Sequence, residues 1–337
     1  MSNPPATPET SSSAPRGRHV PVAKLRKGDR VHEQVFLVEE ANFKQTRNSK
    51  YFIQLILRDQ SGSVKAVRWE ATRELFASLS GQDFLSVDGR VEEFQGQLQV
   101  VIDELQAVAP EEIDLDDFLP KAARPIEEME RDLLREIDSF SNAHLQRLVL
   151  SFLEDPALRD QILRCPAGKS IHHAYLGGLL EHTLSLMKVV RRIKEVYGGL
   201  DLDLLLAVAF LHDIGKVREL SFARAFHYTD EGQLVGHIGI GIALVAEKAR
   251  QIPGFPPDLL HHIQHIIASH HGLPEHGALK PPMTPEAIVF HFLDNLDAKM
   301  AMLEDVRGEL ELADRATEQS RRWTEYKPAL GRKLYFP

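Results

Sequence analysis

The stretch LLLAVAFLHDIGK, residues 204–216, decides how the second half of this chain folds. Its first eight residues are apolar, so a helix formed by them has no polar face and should be buried on all sides. The helix then ends in His212 and Asp213, followed by a Gly-Lys turn. A polar side chain buried without a partner costs roughly 2–7 kcal/mol, so both residues need partners. The stretch therefore predicts a polar site at the end of a buried helix.

Apolar residues at helical spacing continue on both sides of this stretch, from Ile126 onward. They predict an all-α helical bundle over residues 126–320. Residues 110–125, PEEIDLDDFLPKAARP, are acidic and framed by prolines, which is typical of a linker. The linker separates the bundle from the part of the chain that precedes it.

Residues 19–109 have a different pattern, with short runs in which apolar and polar residues alternate. The five runs are VHEQVFLV, YFIQLILRD, SVKAVRWE, FLSVDGRVEEF and QLQVVIDEL. Turns are predicted at residues 59–62 (DQSG) and 95–96 (QG), and TRELFASL from Thr72 predicts a helix between the third and fourth strands. Five strands with one helix in this place indicate an OB-fold. The predicted fold class is thus an N-terminal all-β OB-fold barrel followed by an all-α bundle.

Both ends of the chain differ from these domains. Residues 1–18 are rich in Pro, Ser and Thr and predict a disordered tail, because they contain too few large apolar residues to offset the entropy of ordering. Residues 321–337, RRWTEYKPALGRKLYFP, are basic and aromatic. This C-terminal tail could cover a cleft in the bundle, dock onto the helical core or pack against another subunit, so a homo-oligomer stays open.

Charge and composition limit the classes of partner. The net charge of −9 argues against a protein that coats nucleic acid through bulk charge, although it is compatible with a local basic groove. The one cysteine, Cys165, allows no intramolecular disulfide, as expected in a reducing cytosol. No apolar run approaches the roughly 18 residues that span a bilayer, and the N-terminus lacks the apolar stretch of a signal peptide. We therefore expect a cytoplasmic protein without a membrane partner.

Thirteen of the sixteen histidines lie between His172 and His291. Candidate metal ligands among them, together with two aspartates, lie on separate predicted helices, as expected for a site in a bundle core. The candidates are His182, His212, Asp213, His237, His270, His271 and Asp294. Such a set could hold two divalent ions, bridged by Asp213, and leave positions open for water and a phosphate oxygen. That arrangement suits the hydrolysis of a phosphate ester.

The ligand types narrow the choice of metal. A nitrogen-rich set with two carboxylates favours Mn, Fe, Co or Zn over Mg, which prefers oxygen ligands. These residues alone do not choose among the first four. Asp213 and Lys216 are the predicted catalytic residues. Asp213 could bridge the two ions, and the ammonium group of Lys216 could neutralise a phosphate oxygen.

Three residues beside the ligands are candidates for substrate binding. His172 and His173 lie in a predicted loop and could contact a phosphate, or only cap or pack against a helix. Asp297 follows Asp294 by three residues and shares its helix face. Its carboxylate could orient a ligand or the attacking water, or be an ordinary solvated group.

The motif H…HD…D, formed by His182, His212-Asp213 and Asp294, resembles that of the HD-domain phosphohydrolase superfamily. The additional His237 and His270-His271 resemble its two-metal subgroup. More closely, IHHAYLGGLLEHT, LHDIGKVREL, YTDEGQLVGHI, SHHG and FLDNLDAKM, behind an OB domain, are similar to the YhaM family of 3′–5′ exoribonucleases. The resemblance implies that the HD domain hydrolyses the 3′-terminal phosphodiester, commonly with manganese, while the OB domain holds the strand.

The predicted barrel has a basic side. Between Lys24 and Arg73 there are eleven Lys or Arg residues against six Asp or Glu residues. Aromatic and cationic residues alternate there, a mixture that can stack bases and neutralise phosphates of a single strand. The candidate contacts are Lys44, Tyr51, Lys65, Arg68 and Trp69. Alternation does not say which strand face is inward, so the aromatic residues could instead be barrel core.

Three functions fit these patterns. The first is a metal-dependent 3′–5′ exonuclease of single-stranded RNA, with DNA as a second substrate, because an OB barrel adds reach along a polymer. The second is an HD phosphodiesterase or nucleotidase that acts on small or cyclic nucleotides. The third is a non-catalytic RNA-binding module with structural metals, which the complete ligand set and Lys216 disfavour, since a structural site needs no open coordination position.

Overall fold

The computed structural model describes residues 20–46, 48–79, 81–94, 96–109, 113, 118–119, 121–168, 175–221, 227–317 and 322–337. The chain divides into two compact units, one ending at Leu119 and the other beginning at Pro120. The first unit is a closed β-barrel and the second is mainly helical, which confirms the predicted fold class.

The barrel is formed by β1 (Arg30–Gln45), β2 (Tyr51–Asp59), β3 (Gly62–Trp69), α1 (Arg73–Leu79), β4 (Phe84–Phe94) and β5 (Gln97–Ala107). The strand order around it is β1-β2-β3-β5-β4, with β3 and β5 paired in parallel and the other neighbours antiparallel. Helix α1 connects β3 to β4, as predicted. Alternate residues of β2, Ile53, Leu55 and Leu57, are buried in the barrel core, so the other set of β2 residues forms the outer face.

Strand β1 is longer than the predicted run, which ended at Val38. It pairs first with β4 and then with β2, and the register shifts between Val38 and Glu40. Such a bulge bends the strand, which allows it to close the barrel between two neighbours. Residues 39–42, EEAN, are mostly polar and break the alternation, which is why the pattern missed the second half of the strand.

The second unit contains α2 (Ile126–Asp138), α3 (Ala143–Leu153), α4 (Pro156–Arg164), α5 (Gly178–Val196), α6 (Leu202–Leu211), α7 (Lys216–Glu219), α8 (Asp230–Arg250), α9 (Pro257–Ser269) and α10 (Pro285–Thr317), with a two-stranded ribbon of β6 (Leu220–Ser221) and β7 (His227–Tyr228). Helices α4 and α7 were not predicted, and α10 extends further than its apolar pattern. Among the helices in the described ranges, none combines the length and hydropathy that a membrane span requires.

Helix α6 lies in the centre of the bundle. Every residue from Leu204 to Leu211 is buried, as its apolar sequence predicts. Asp201 caps its N-terminus by accepting a hydrogen bond from the Leu204 amide at 3.0 Å. Because α6 packs against α3, α5, α9 and α10, its C-terminal end lies among several helices that carry histidine or aspartate. Cys165 is buried in the same core.

Residues 322–337, named here the C-terminal hairpin, fold back on themselves in the second unit. Backbone hydrogen bonds join Thr324 to Leu334 at 3.0 Å and Lys327 to Arg332 at 3.0 Å. A 3-10 turn at Pro328–Leu330 forms the tip, and Gly331 follows it with φ +64°, a conformation that glycine adopts without strain.

Candidate metal centre and strand-binding face

The first cluster of ligand candidates forms where α5, α6 and α10 meet. His182 Nε2 lies 3.2 Å from His212 Nε2 and 3.2 Å from Asp294 Oδ1. His212 Nε2 lies 3.3 Å from Asp213 Oδ2 and 3.6 Å from Asp294 Oδ1. The structure thus brings together four candidates that are up to 112 residues apart in sequence.

The second cluster lies on the other oxygen of Asp213. His237 Nε2 is 3.5 Å from Asp213 Oδ1, and His270 Nε2 is 3.8 Å from the same atom. The ring of His271 lies 4.2 Å from that of His270 and 5.3 Å from that of His237, measured between centroids. Asp213 is therefore the residue that the two clusters share.

In four of the histidines, Nδ1 points away from the clusters and contacts a hydrogen-bond acceptor. His182 Nδ1 contacts Asp297 Oδ2 at 2.7 Å and His237 Nδ1 contacts Glu219 Oε1 at 3.0 Å. His212 and His270 use Nδ1 in the same way, toward the carbonyl oxygens of Ala209 and Ile267. Carboxylate and carbonyl oxygens only accept, so each Nδ1 is the donor and each Nε2 faces the clusters.

Several inward atoms are buried and have no hydrogen-bond partner among the described residues. They are Asp213 Oδ1, His237 Nε2, His270 Nε2 and His271 Nδ1. Leaving such atoms unpaired costs free energy, and a concentration of acceptors in one place is what a cation satisfies. Within each of two sets, His182, His212 and Asp213, and His237, His270 and His271, the ligand atoms lie within 4.8 Å of one another. The donor set fits divalent metal ions.

The pKa values in the centre leave Asp213, Asp294 and His270 free to bind a cation, whereas His182 holds a proton that a cation must displace. Burial would raise the pKa of the Asp213 carboxyl, but Lys216 and His212 outweigh it and hold that pKa well below its usual range. His182 and His212 likewise lower the pKa of Asp294 despite burial. Burial holds the pKa of His270 well below its usual value, so this imidazole is neutral. For His182, hydrogen bonds with Asp294 and Asp297 overcome burial and raise the pKa to about 9.

Lys216 lies beside the shared carboxylate. Its ammonium group contacts Asp213 Oδ2 at 2.6 Å and donates to the Ala167 carbonyl at 2.6 Å. The side chain borders the cavity described below. Lys216 is therefore placed to compensate the negative charge of Asp213 at the edge of the cavity.

Glu219 is a site residue that the sequence patterns do not identify. Its Oε1 accepts from both the backbone N–H (2.9 Å) and the ring Nδ1 of His237. Helix α8 breaks just before this point, at Gly236 with φ +73°, so the carboxylate also caps the segment that His237 begins. The close approach of α7 and α8 depends on Gly215, where a Cβ would lie 2.0 Å from the His237 carbonyl oxygen.

Three residues near the ligands were predicted to bind substrate: Asp297, His172 and His173. Asp297 contacts the ligand His182 and the Ser185 hydroxyl, so it is placed to orient a ligand, one of the two roles considered for it. His172 and His173 lie outside the described residues.

A cavity of about 580 Å³ opens over both clusters. Besides six of the seven ligand candidates and Lys216, its wall contains residues that are not among the predicted site residues. Among them are Tyr228, His276, Asn295, Lys299 and, from the tip of the C-terminal hairpin, Ala329. Asn295 and Lys299 lie one helical turn apart on α10, following Asp294, a relation that helical spacing could have indicated.

The comparisons with known proteins agree with this geometry. The HD domain family matches residues 179–299, and the OB-fold nucleic acid binding domain matches residues 37–108. The 3′-5′ exoribonuclease YhaM of Bacillus subtilis (strain 168) is 34% identical over 287 residues, which are 83% of this chain and 90% of the relative. The 3′-5′ exoribonuclease YhaM of Bacillus pumilus (strain SAFR-032) is 35% identical over 278 residues, which are 81% and 88% of the two chains.

The chain belongs to the YhaM family of 3′–5′ exoribonucleases. The resemblance inferred from the motifs is thereby confirmed. The HD match includes all seven ligand candidates, from His182 to Asp294, and an HD domain implies dependence on a divalent metal.

In the barrel of this YhaM-family chain, the five residues predicted to contact a nucleic-acid strand lie on two different faces. Lys44, Lys65 and Trp69 alternate with the core residues and so lie on the outer face of β1, β2 and β3. Phe52, which sequence reasoning missed, joins them, with its ring 5.1 Å from that of Trp69. Lys44 donates to Gln54 on the same face.

Tyr51 and Arg68 lie on the other side of the strand alternation. The Tyr51 ring stacks on Phe43 with centroids 5.0 Å apart, and Phe43 lies against Phe76 of α1. Arg68 pairs in register with the core residue Ile53 and donates to the Ile102 carbonyl at 3.5 Å. These two residues therefore do not share the outer face with the other three candidates.

Proposed function

We propose that this chain is a metal-dependent 3′–5′ exonuclease that hydrolyses the terminal phosphodiester of single-stranded RNA in its HD domain. The observation that carries the proposal is the convergence of two ligand clusters on opposite oxygens of Asp213, at the floor of an open cavity. Family membership supplies the direction of degradation and the polymer class.

Two ions fit the ligands. His182, His212, Asp213 and Asp294 would hold one, and Asp213 with His237, His270 and His271 would hold the other. The nitrogen-rich set favours Mn, Fe, Co or Zn over Mg. Among these four, manganese is favoured by the resemblance to the YhaM family. When bound, such ions supply Lewis acidity that activates water and neutralises charge on the phosphodiester.

The chain's own groups bind and orient the terminal nucleotide. Lys216 and Lys299 border the cavity and provide positive charge for the phosphate oxygens. Tyr228, which is 44% exposed at the cavity wall, offers a ring on which a base can stack. Asn295 offers an amide that can both donate to and accept from a ribose hydroxyl. These four residues position the scissile bond over Asp213.

The outer face of the barrel holds the strand away from the reacting end. Phe52 and Trp69 present aromatic surface between Lys44 and Lys65, the combination that binds single strands with little sequence preference. Strands β2 and β3 are the part of an OB-fold that commonly contacts oligonucleotides. We place the protein in the cytoplasm, where its RNA substrates are found.

The test is a time course with 5′-labelled single-stranded RNA and DNA, with added Mn²⁺ or a chelator, resolved on a sequencing gel. We expect a metal-dependent ladder that shortens from the 3′ end, faster on RNA, and no ladder with Asp213→Ala. Cleavage of cyclic or mononucleotide esters without any ladder would instead assign the site to small nucleotides. Absence of hydrolysis with every substrate and metal would favour a binding module with structural ions.

A further inference from the structure

The C-terminal hairpin combines aromatic and cationic side chains in a short segment. Trp323, Tyr326 and Tyr335 are 60%, 57% and 46% exposed. The same segment carries four Lys or Arg residues and one Glu, against a net charge of −9 for the whole chain. Large aromatic rings are usually buried, so three exposed rings among cations indicate a surface with a partner.

The hairpin is held in a defined position. Thr324 is 4% exposed and its hydroxyl accepts from the Leu334 amide at 3.0 Å, which closes the hairpin below its tip. The guanidinium of Arg307, on α10, lies 5.4 Å from the centre of the Phe336 ring, a cation–π contact that fastens the hairpin to the helix of Asp294. The exposed aromatic rings therefore belong to a closed hairpin that is anchored to α10.

The tip of the hairpin reaches the catalytic cavity. Ala329, in the 3-10 turn at the tip, forms part of the cavity wall together with Lys299 and Met302 of α10. The exposed rings thus belong to a segment that begins at the cavity and extends away from it. A polymer whose last nucleotide occupies the cavity has to leave it across the cavity wall, and the tip of the hairpin is part of that wall.

We propose that the C-terminal hairpin is a second strand-binding element, which holds the nucleotides that precede the 3′ terminus at the mouth of the cavity. The inference rests on the proposed function and deepens it. Trp323 and Tyr326 stack on bases, while the cations of the hairpin neutralise backbone phosphates. Small phosphodiesters do not extend past the cavity, so the hairpin discriminates in favour of polymers.

The experiment compares kcat/KM for a 5′-labelled single-stranded RNA with kcat/KM for bis(p-nitrophenyl) phosphate, both with Mn²⁺. The variants are Tyr326→Ala and Trp323→Ala/Tyr326→Ala in the full chain, with Trp323→Phe as the conservative change that keeps a ring. Tyr197→Ala is the matched control, since Tyr197 is 59% exposed at the end of α5 and does not line the cavity.

We expect each lost stack to lower the ratio of the two kcat/KM values by about 5- to 150-fold, mainly through the KM for RNA. This range corresponds to ~1–3 kcal/mol per base–aromatic stack at tenfold per 1.4 kcal/mol. Trp323→Phe alone should keep most of the wild-type ratio, because a ring remains at this position. Tyr197→Ala should leave the ratio within twofold of the wild type.

Two results would overturn the inference. One is an unchanged ratio in the double variant while the wild type degrades RNA. The other is an equal loss on both substrates, which would mean that the hairpin only supports the cavity. A wild-type protein that hydrolyses the small ester but no polymer would instead refute the proposed function, and the hairpin's role with it.

Discussion

Replacing Glu219 should weaken ion binding at one of the two sites and leave the other unchanged, because this carboxylate contacts a ligand of only one cluster. Its Oε1 holds both the amide and Nδ1 of His237, at 2.9 and 3.0 Å. Burial opposes its charge, but the hydrogen bond with His237 lowers its pKa, so it is ionised at neutral pH. Without it, the His237 ring loses the contact that turns Nε2 toward Asp213 Oδ1.

The magnitude follows from these two contacts. Removing the partner that orients a metal-ligating histidine typically costs 10- to 100-fold in metal affinity, so Glu219→Ala should weaken the ion at His237, His270 and His271 by about that factor. Loss of the cap on the segment that begins at His237 should also lower the free energy of unfolding of the metal-free protein by about 1–2 kcal/mol. Glu219→Gln keeps an acceptor without the charge, so both effects should be smaller.

The assay is calorimetric titration of the metal-free protein with Mn²⁺, together with the metal content after dialysis and thermal unfolding. We expect the wild type to bind two ions and Glu219→Ala to keep one at limiting metal. Glu231→Gln, an exposed change on the first turn of α8, is the control for charge removal. Two ions bound to a folded Glu219→Ala protein with wild-type affinities would refute the role of Glu219 in orienting His237 as a metal ligand.

Three further predictions test other parts of the molecule. Asp213→Ala should lower hydrolysis by more than about 10²-fold and abolish binding of both ions, while strand affinity in fluorescence anisotropy stays within twofold; one ion retained at full affinity would exclude a bridging role. Trp69→Ala should raise the Kd for single-stranded RNA by about 5- to 150-fold without changing hydrolysis of a small ester, and an unchanged Kd would exclude the outer barrel face. Metal binding should strengthen as the pH rises to about 9, because the pKa of His182 is raised to about 9 and the ion must displace that proton. At about pH 7.5 each binding event should therefore release a proton, which calorimetry detects as a binding enthalpy that depends on the ionisation enthalpy of the buffer. Equal binding enthalpies in buffers of different ionisation enthalpy would contradict this.

The metal ligands could be proposed from sequence because each has a local signal. Leu204–Leu211 is apolar throughout, so His212 and Asp213 at its end needed an explanation, and the remaining histidines lie on recognisable amphipathic helices. Glu219 gave no comparable signal, since its role comes from the contact of α7 with α8 and from the break at Gly236. The role of Glu219, which orients His237 without being a ligand candidate itself, is set by tertiary structure rather than by spacing.

The barrel shows a different limit of sequence reasoning. Period-two alternation identified five strands, but it assigns residues to two faces without saying which one is inward. Alternation places Lys65 and Trp69 on the face opposite to Arg68, but only the buried residues of β2 show that Lys65 and Trp69 lie on the outer face. Phe52 was missed for the same reason, because an aromatic residue in a strand fits the core as readily as a ligand surface.

The internal ion pairs explain how this centre can exist before metal is bound. Asp213 is paired with Lys216, and His182 lies between Asp294 and Asp297, so part of the buried negative charge is already compensated. The compensation is incomplete, since Asp213 Oδ1 and the Nε2 atoms of His237 and His270 have no hydrogen-bond partner among the described residues. An ion that satisfies these atoms must therefore stabilise the folded bundle, by an amount that grows with metal concentration. Because Asp213 contributes one oxygen to each cluster, the gain from the second ion depends on the position that the first ion gives to this carboxylate, and the two binding events should be coupled.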